Sequence, residues 1–485
     1  MKRRIIAALT AAAALTSCFA MTGCSDKAEG GITEISWYIP TLLEGSEVSN
    51  VLTAVNEKLA EKYDLKLKLV CVDGGNYSQK LQVMNAGREE YDIAFTSNWT
   101  NDFQQNISNG CLYDITDDLA ECAPETYAKM SEAEKKAVSR DGRIYAIPNW
   151  QIQAKSTALI FDKEKLDSTG MTLDDFNTLD DITTYLRKLH EVDPNCNVVG
   201  KFWASLLFKN GYEEILGEAM PPVIDFRADG KPIVINQYET QEFKSYVKLR
   251  DSWVKEGLIT DQYDPDLKEG NKSVRRSPFG IHIYKPGLAE QNTKGNGYEC
   301  VAKPFSDALI SGAGINAALT AVSATSRHPK EALKMIEIMN TDEEIRNLLC
   351  WGIEGVNYKK TGENKVMVID DSGYSRISDW ILGSIRNAYQ LDTTSETVIE
   401  ETEEYNNAAL SSPLLGLYID VNAVATEAAN CKTVINEQLE NLERGLTGDV
   451  DAALDKFIKD LKAAGSDTII EECQKQIDEW WSQNK

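Results

Sequence analysis

Residues 65–72 read Leu-Lys-Leu-Lys-Leu-Val-Cys-Val, so apolar side chains alternate with lysines over the first five positions. This period of two is typical of a strand with one buried face. The segment before it, 47–62, carries apolar residues at helical spacing and follows a predicted strand over 32–39. A helix over 77–85 and a short strand over 91–96 come next. Five alternating elements within about 65 residues predict an α/β layer with a mainly parallel sheet.

The alternation continues beyond residue 96 and then changes character near the end of the chain. A strand is predicted over 158–161 and an amphipathic helix over 182–190. The last residues carry helical stripes over 424–446, 450–463 and 469–481, without a strand pattern between them. The sequence therefore predicts an α/β body followed by a helical C-terminal region.

The first 24 residues have the pattern of an export signal. Residues 2–4 are basic, 5–15 are apolar and rich in alanine, and 21–24 read Met-Thr-Gly-Cys. The apolar run is too short to span a bilayer and has the length of a signal-peptide core. The ending resembles the lipobox of bacterial lipoproteins, in which the cysteine is lipidated and becomes the mature N-terminus. We therefore expect a signal peptide over 1–23, a lipidated Cys24 and a tether over 24–31.

Two alternatives remain open at this stage. A rival lipobox ends at Cys18 and begins with the commoner leucine, and an ordinary cleaved signal would leave Cys24 incidental. Both versions with a lipobox predict a protein on the outer face of a membrane. Eight further cysteines include no C-x-x-C pair, so zinc and redox motifs have no support, and any disulfide pairing stays undetermined.

Charge and motif content exclude several function classes. The 485-residue chain has 51 Lys and Arg against 76 Asp and Glu, a formal net charge of −25. Such a surface repels phosphate backbones, which argues against nucleic-acid binding. The chain has only 3 histidines and contains no H-E-x-x-H, G-x-S-x-G, Walker or dinucleotide-binding motif. We therefore expect no enzyme activity, no cofactor and no metal.

Three blocks resemble segments of a known family when they are taken in order: 142–148 with the strand that follows, 315–332, and 351–358 with the helical tail. Residues 142–148 read Gly-Arg-Ile-Tyr-Ala-Ile-Pro, and 157–164 form a strand and loop ending Phe-Asp-Lys-Glu. Residues 315–332 combine a strand, a loop and a proline-started helix, and 351–358 read Trp-Gly-Ile-Glu-Gly-Val-Asn-Tyr. Together they resemble family 1 extracellular solute-binding lipoproteins of ABC importers, in a larger carbohydrate-associated subgroup with a helical C-terminal extension.

This resemblance implies an α/β, two-lobed periplasmic-binding-protein-like fold with a hinge and a helical C-terminal region. The first lobe would comprise 32–150 with roughly 318–356 returning to it. The second would comprise 151–317 with part of 357–420, and 421–485 would be the helical extension. The implied function is a monomeric receptor that binds a small solute, most simply an oligosaccharide, in the cleft and delivers it to membrane permease subunits.

A sugar site needs flat aromatic rings and side chains that donate and accept hydrogen bonds together. Several such residues follow predicted strands, where α/β sheets bind their ligands. The candidates for the cleft are Trp37, Tyr38, Asn98, Trp99, Asn149, Trp150, Gln151, Trp351 and Glu354. Trp150 is the strongest of them because polar residues flank it.

Each candidate also has a structural alternative. A tryptophan usually packs in a core with its N–H satisfied, and Glu354 can accept backbone N–H groups instead of touching a ligand. Trp203 and Tyr284 are lesser candidates for the same reason. At the level of function, a binding protein for peptides or another polar solute, a surface glycan hydrolase, and an adhesin or sensor subunit remain alternatives.

Overall fold

The computed structural model describes residues 31–194, 200–217, 219–259 and 277–484. The predicted signal peptide, Cys24 and all but the last residue of the predicted tether lie outside these residues. The strands, in chain order, are β1 Thr33–Ile39, β2 Leu65–Cys71, β3 Ile93–Thr96, β4 Ser139–Arg140, β5 Arg143–Ile144, β6 Ile147–Pro148, β7 Thr157–Asp162, β8 Tyr212–Glu214, β9 Pro222–Asp225, β10 Ile235–Asn236, β11 Phe279–Ile283, β12 Cys300–Pro304, β13 Leu309–Ile310, β14 Leu319–Val322, β15 Tyr358–Lys360, β16 Lys365–Val368, β17 Gln390–Leu391 and β18 Leu410–Ser411.

The α-helices, in the same order, are α1 Val48–Tyr63, α2 Gly74–Gly87, α3 Phe103–Ser108, α4 Leu119–Cys122, α5 Pro124–Lys129, α6 Glu132–Ala137, α7 Lys163–Ser168, α8 Leu179–Val192, α9 Trp203–Asn210, α10 Gln241–Lys255, α11 Leu288–Asn296, α12 Gly312–Ile315, α13 Pro329–Thr341, α14 Glu343–Trp351, α15 Val398–Ala408, α16 Ala425–Arg444, α17 Val450–Ala464 and α18 Ser466–Asn484. Within the described parts of the chain, none of these helices is both long and apolar enough to cross a membrane.

The first lobe is built on a five-stranded sheet in the order β2-β1-β3-β14-β6. β1 runs parallel to β2 and β3, as the alternating pattern predicts, whereas β14 runs antiparallel to β3 and β6. In β2, Leu65 and Leu67 are buried while Lys66 and Lys68 are exposed, so the period of two marks one buried face. The apolar stripe of α1 packs into the same core.

The second lobe has a different sheet architecture. β7 lies between β11 and β12 and runs antiparallel to both, and β8, β9 and β10 form a second antiparallel sheet. Within the sheets of the two lobes described so far, the predicted parallel pairing therefore holds for β1, β2 and β3 and not for the other strands. Periodicity predicts where strands lie, but the direction of each pairing depends on the path of the intervening chain.

The C-terminal helices complete the core of the second lobe. Phe457 of α17 is fully buried, and its ring centroid lies 5.0 Å from that of Tyr238. The Nε atom of Arg250 in α10 donates a hydrogen bond of 2.7 Å to the carbonyl oxygen of Glu443 in α16. The sequence left open which lobe these helices join, and their apolar faces pack against the second one.

The segment containing β15, β16 and β17 belongs with the first lobe. Tyr358, Val366 and Tyr389 from this segment are buried in the same core as β1 and β3. The family resemblance assigned part of 357–420 to the second lobe. Of that range, Leu414 lies in the second core, so the stretch divides between the two cores.

Chain segments that link the lobes run side by side. We call 149–156 the first crossing, 305–318 the second and 392–412 the third. β13 in the second crossing pairs with β18 in the third, and Lys155 in the first crossing bridges to Leu309 in β13. Backbone hydrogen bonds therefore join all three crossings into one narrow connection.

The side chain of Asn406 in α15 ties the third crossing to the first. Its Oδ1 atom accepts hydrogen bonds of 3.0 Å from the backbone N–H groups of Gln153 and Ala154. Its Nδ2 atom donates to the carbonyl oxygen of Gln151 at 2.8 Å. Because Asn406 is buried, one amide satisfies three backbone groups that would otherwise lose their water partners on folding.

A buried carboxyl group lies against the end of the third crossing. Glu213 in β8 is buried, and the Ser412 hydroxyl donates a hydrogen bond of 2.6 Å to its Oε2 atom. Burial disfavours the charged form and raises the pKa of Glu213 to about 7, and the bond from Ser412 opposes this only in part. The folded protein therefore binds a proton at this carboxyl more strongly than the unfolded chain does.

This carboxyl makes stability depend on pH in a defined direction. Its contribution is fully present below the unfolded pKa and is lost as pH rises through the folded value of about 7. Relative to the natural chain, Glu213→Gln should have a similar free energy of unfolding at pH 5. At pH 8 it should be more stable by on the order of 1–3 kcal/mol. Urea unfolding at several pH values measures this difference, and a difference independent of pH would contradict the assignment.

Candidate binding site

The edge of the first sheet that faces the crossings collects several chain segments. β3 is parallel to β1 and antiparallel to β14, and β6 is antiparallel to β14, so the ends of β3 and β6 meet the start of β14. Asn98 and Trp99 follow β3 at this edge, and Asn149 follows β6. Ligands of open α/β sheets bind outside the carboxyl ends of the strands, so this edge is the natural place for a site.

Trp99 is the most exposed tryptophan at this edge of the sheet. Its side chain is 58% exposed, although its Nε1–H donates a hydrogen bond of 2.8 Å to the carbonyl oxygen of Ala317 in the second crossing. The indole is therefore held in position by a crossing while most of its surface remains open to solvent. A large exposed aromatic side chain held in this way is suited to contact a ligand.

Two further rings surround Trp99. The Trp380 ring lies 6.3 Å from the Trp99 ring between centroids, with the planes inclined by 60°. Phe95 in β3 lies beneath both, 5.9 Å from Trp99 and 5.8 Å from Trp380. We call Phe95, Trp99 and Trp380 the aromatic corner. Trp380 was not a candidate from the sequence, because no local pattern relates it to a residue so far away along the chain.

Asn149 is a buried support of this corner. Its Nδ2 atom donates to the carbonyl oxygens of Trp380 at 2.9 Å and Ile381 at 3.1 Å. Its Oδ1 atom accepts a hydrogen bond of 2.8 Å from the Thr320 hydroxyl in β14. The side chain is 1% exposed and fully engaged, so in this structure Asn149 fixes the Trp380 segment instead of facing a ligand.

Asn98 joins the same edge to the second crossing. Its Nδ2 atom donates a hydrogen bond of 3.0 Å to the carbonyl oxygen of Ala313. Its backbone N–H donates one of 2.9 Å to the carbonyl oxygen of Asn316. Asn98 remains exposed, so its Oδ1 atom is on the surface beside Trp99.

Two predicted cleft residues are core residues instead. Trp37 in β1 is 0% exposed and Trp351 at the end of α14 is 3% exposed, and both belong to the core of the first lobe. Neither ring offers a face to a ligand in this structure, so the cleft prediction for both is corrected. In each case the ring lies on the inward side of its own strand or helix, where the other side chains of that element are also buried.

Trp150, the strongest candidate from the sequence, is also covered. It is 6% exposed, and the guanidinium carbon of Arg386 lies 3.6 Å from its ring centroid. Arg386 is held in turn by an ion pair of 3.1 Å with Glu403 in α15. Cation–π stacking therefore covers one face of the ring, and the low exposure of the side chain leaves little of the ring open to a sugar. The neighbouring Gln151 is partly exposed and contributes its carbonyl oxygen to Asn406.

The other candidates of the first lobe lie outside the aromatic corner. Tyr38 is half-buried and packs edge-on against Tyr91, with ring centroids 5.5 Å apart. Glu354 is exposed in the turn after α14, and its backbone forms a bridge with Tyr358. These contacts give both residues a local structural role.

The second lobe presents aromatic residues where β11 reaches the crossings. Tyr284 follows β11, donates its backbone N–H to the carbonyl oxygen of Ser156 at 2.9 Å, and lies 5.0 Å from the Tyr405 ring. The next residue, Lys285, is half-buried, and burial lowers its pKa. Trp203, by contrast, is a core residue whose Nε1–H donates to Gln237 at 2.6 Å. Tyr284 is therefore the better second-lobe candidate.

A separate groove lies away from these residues. It has a volume of about 1200 Å³ and is lined by the region from α6 to β5, the chain after β18 and the end of α18. We call it the tail groove. Trp480 is one of its lining residues, and so are Arg140 and Tyr418, where the guanidinium carbon of Arg140 lies 4.1 Å from the Tyr418 ring centroid. Its described lining residues include none of the aromatic corner.

Comparison with known proteins identifies relatives over almost the full length of this chain. A curated carbohydrate ABC transporter substrate-binding protein from Streptococcus pneumoniae is 24% identical over 486 aligned positions, covering 98% of this chain and 96% of that protein. The crystal structure of an N-glycan transport solute binding protein from the same species has a TM-score of 0.78 at 22% identity, covering 93% of this chain and 100% of that one.

A solute-binding protein from Bifidobacterium longum infantis, described as HMO binding and associated with an ABC transporter, gives a TM-score of 0.65 at 15% identity. It covers 93% of this chain and 99% of that chain. At such identities these likenesses establish the two-lobed fold.

Two family profiles match this chain. A domain family of unknown function, DUF3502, matches residues 413–482. The profile described as bacterial extracellular solute-binding protein matches residues 54–352, which is more than half of the chain. The chain therefore belongs to the family of bacterial extracellular solute-binding proteins.

Proposed function

We propose that this protein is the substrate-binding component of an ABC importer and captures an oligosaccharide between its two lobes. Trp99 carries the proposal, because it is 58% exposed at the sheet edge and anchored to a crossing. Family membership supports a binding role, and the carbohydrate and N-glycan relatives support a glycan as the ligand. The same family membership supports a protein that releases its ligand unchanged and is not an enzyme.

The architecture supports closure of the two lobes around the ligand as the first step of its delivery. The lobes are joined by three narrow crossings, so a change in their relative orientation requires changes in few backbone angles. A ligand that contacts both lobes favours a closed arrangement by the difference in its affinity for the two states. We propose that the aromatic corner and Tyr284 supply contacts from opposite lobes. The closed receptor would then engage the membrane permease.

The first test measures whether ligands stabilise the fold. A ligand that binds only the native state adds about 2.7 kcal/mol to the free energy of unfolding at 100 times its Kd. Thermal unfolding should therefore shift upward by several degrees with at least one member of a set of manno-, malto-, xylo-, fructo- and galacto-oligosaccharides. Short peptides serve as the competing class. A shift with peptides and with no glycan would contradict the oligosaccharide proposal.

The second test concerns the site. Trp99→Ala should weaken oligosaccharide binding by about 1–3 kcal/mol, because it removes an anchoring aromatic surface. Isothermal titration calorimetry measures the loss. Trp480→Ala in the tail groove is the matched control and should bind as the natural chain does. The reverse result, with affinity lost only in Trp480→Ala, would move the site to the tail groove.

We further propose that Cys24 is lipidated and holds the receptor on the outer face of the membrane through residues 24–31. A short tether of this kind raises the concentration of the receptor near its permease. The motif Met-Thr-Gly-Cys over 21–24 supports this attachment.

The anchor is tested by replacing each candidate cysteine in a bacterium that processes lipoproteins. Cys24→Ser should release the protein from the membrane fraction into the medium, whereas Cys18→Ser should leave it membrane-bound. Fractionation with immunodetection distinguishes the two. Release by Cys18→Ser alone would favour the rival lipobox, and a natural chain already found in the medium would argue for an ordinary cleaved signal.

A further inference from the structure

The aromatic corner has a fixed shape. The planes of Trp99 and Trp380 are inclined by 60° with centroids 6.3 Å apart, and both rings retain exposed surface. Phe95, which is fully buried, fills the space behind them. The two indoles therefore meet edge to face, with their ring planes in different directions over one buried base.

Hydrogen bonds within the protein hold the Trp99 indole and the Trp380 backbone independently of any ligand. The Trp99 indole N–H is held by the carbonyl oxygen of Ala317 at 2.8 Å. The Trp380 backbone is held by Asn149, whose amide is itself fixed by Thr320 in β14. Breaking the buried bond between Thr320 and Asn149 leaves a polar group unsatisfied, which costs about 1–3 kcal/mol. The corner is therefore preorganised, and a ligand gains affinity only if its own shape matches.

Stacking imposes a geometric condition on a glycan. A sugar ring that stacks on an indole lies nearly parallel to it, so two sugar residues stacked on the two indoles must have ring planes inclined in a similar way. A β-1,4-linked glucan or mannan is a flat ribbon in which successive rings lie close to one plane. An α-linkage or a branch point inclines successive sugar rings relative to each other, which is the arrangement that the condition requires.

Resting on the oligosaccharide function proposed above, we infer that Trp99 and Trp380 form a two-ring subsite that selects bent glycans, those with α-linkages or branch points, over flat β-1,4-linked chains. Trp380 is then the specificity-determining residue, because it supplies the second, inclined face. Trp99 alone would stack on one sugar residue of either kind. The preference is a property of the pair of rings.

The experiment compares linkage isomers of the same sugar. Calorimetry gives two affinity ratios for each variant. The first compares branched α-1,3/α-1,6-mannopentaose with linear β-1,4-mannopentaose, and the second compares maltopentaose with cellopentaose. The natural chain should bind the bent member at least about tenfold more tightly in one pair, equivalent to about 1.4 kcal/mol. Trp380→Ala should reduce that ratio to about threefold or less. Trp380→Phe, which keeps a ring, should restore part of it, and Trp480→Ala should leave it unchanged.

The outcomes separate this inference from the underlying function. Equal or tighter binding of the flat members overturns the inference while leaving the oligosaccharide function intact. The same holds if Trp380→Ala, folded by circular dichroism, keeps the full ratio of the natural chain. If the natural chain binds none of the four glycans, the inference and the proposed function both fail for these sugars, and the thermal-shift set then shows whether another solute class binds.

Discussion

The pairing of β14 with both β3 and β6 is the constraint on which the rest of the molecule depends. Along the sequence, β14 comes after the segments that form the sheets of the second lobe. In the first sheet it lies between β3 and β6, which come much earlier in the chain. Because it is antiparallel to both, its start meets their ends at one edge. Two crossings and the loop carrying Trp99 are thereby brought together, and the inter-lobe connection and the candidate site share one strand.

Buried asparagines reinforce this arrangement at two points. Asn149 connects β14 to the segment of Trp380, and Asn406 connects the first and third crossings. An amide suits such positions because it donates and accepts at once and so satisfies backbone groups of both kinds. The cost of leaving those groups unpaired makes each connection specific in geometry. The aromatic corner and the hinge are consequently parts of one hydrogen-bonded framework.

Local periodicity predicted the elements well, but it did not predict which of the candidate side chains are buried. The strands around 32–39 and 65–72, the helix between them and the three C-terminal helices appear with nearly the expected bounds, since burial on one face imposes a period that the sequence displays. Residue type alone did not distinguish Trp99 from Trp37. Both are tryptophans near the end of a predicted strand, and a tryptophan side chain in such a position is commonly partly buried. Trp37 points into the core, whereas Trp99 lies beyond the end of its strand.

The amino-acid sequence by itself predicted an export signal, and it determined the alternation of strands and helices, the excess of negative charge and the helical end of the chain. Each of these depends on neighbours along the chain, whose periodicity and charge can be read directly. Only the tertiary structure decided that Arg386 covers Trp150, that Trp380 stands beside Trp99, and that the C-terminal helices join the second core. These contacts join residues far apart along the chain, so their geometry exists only once both sheets and the crossings have formed.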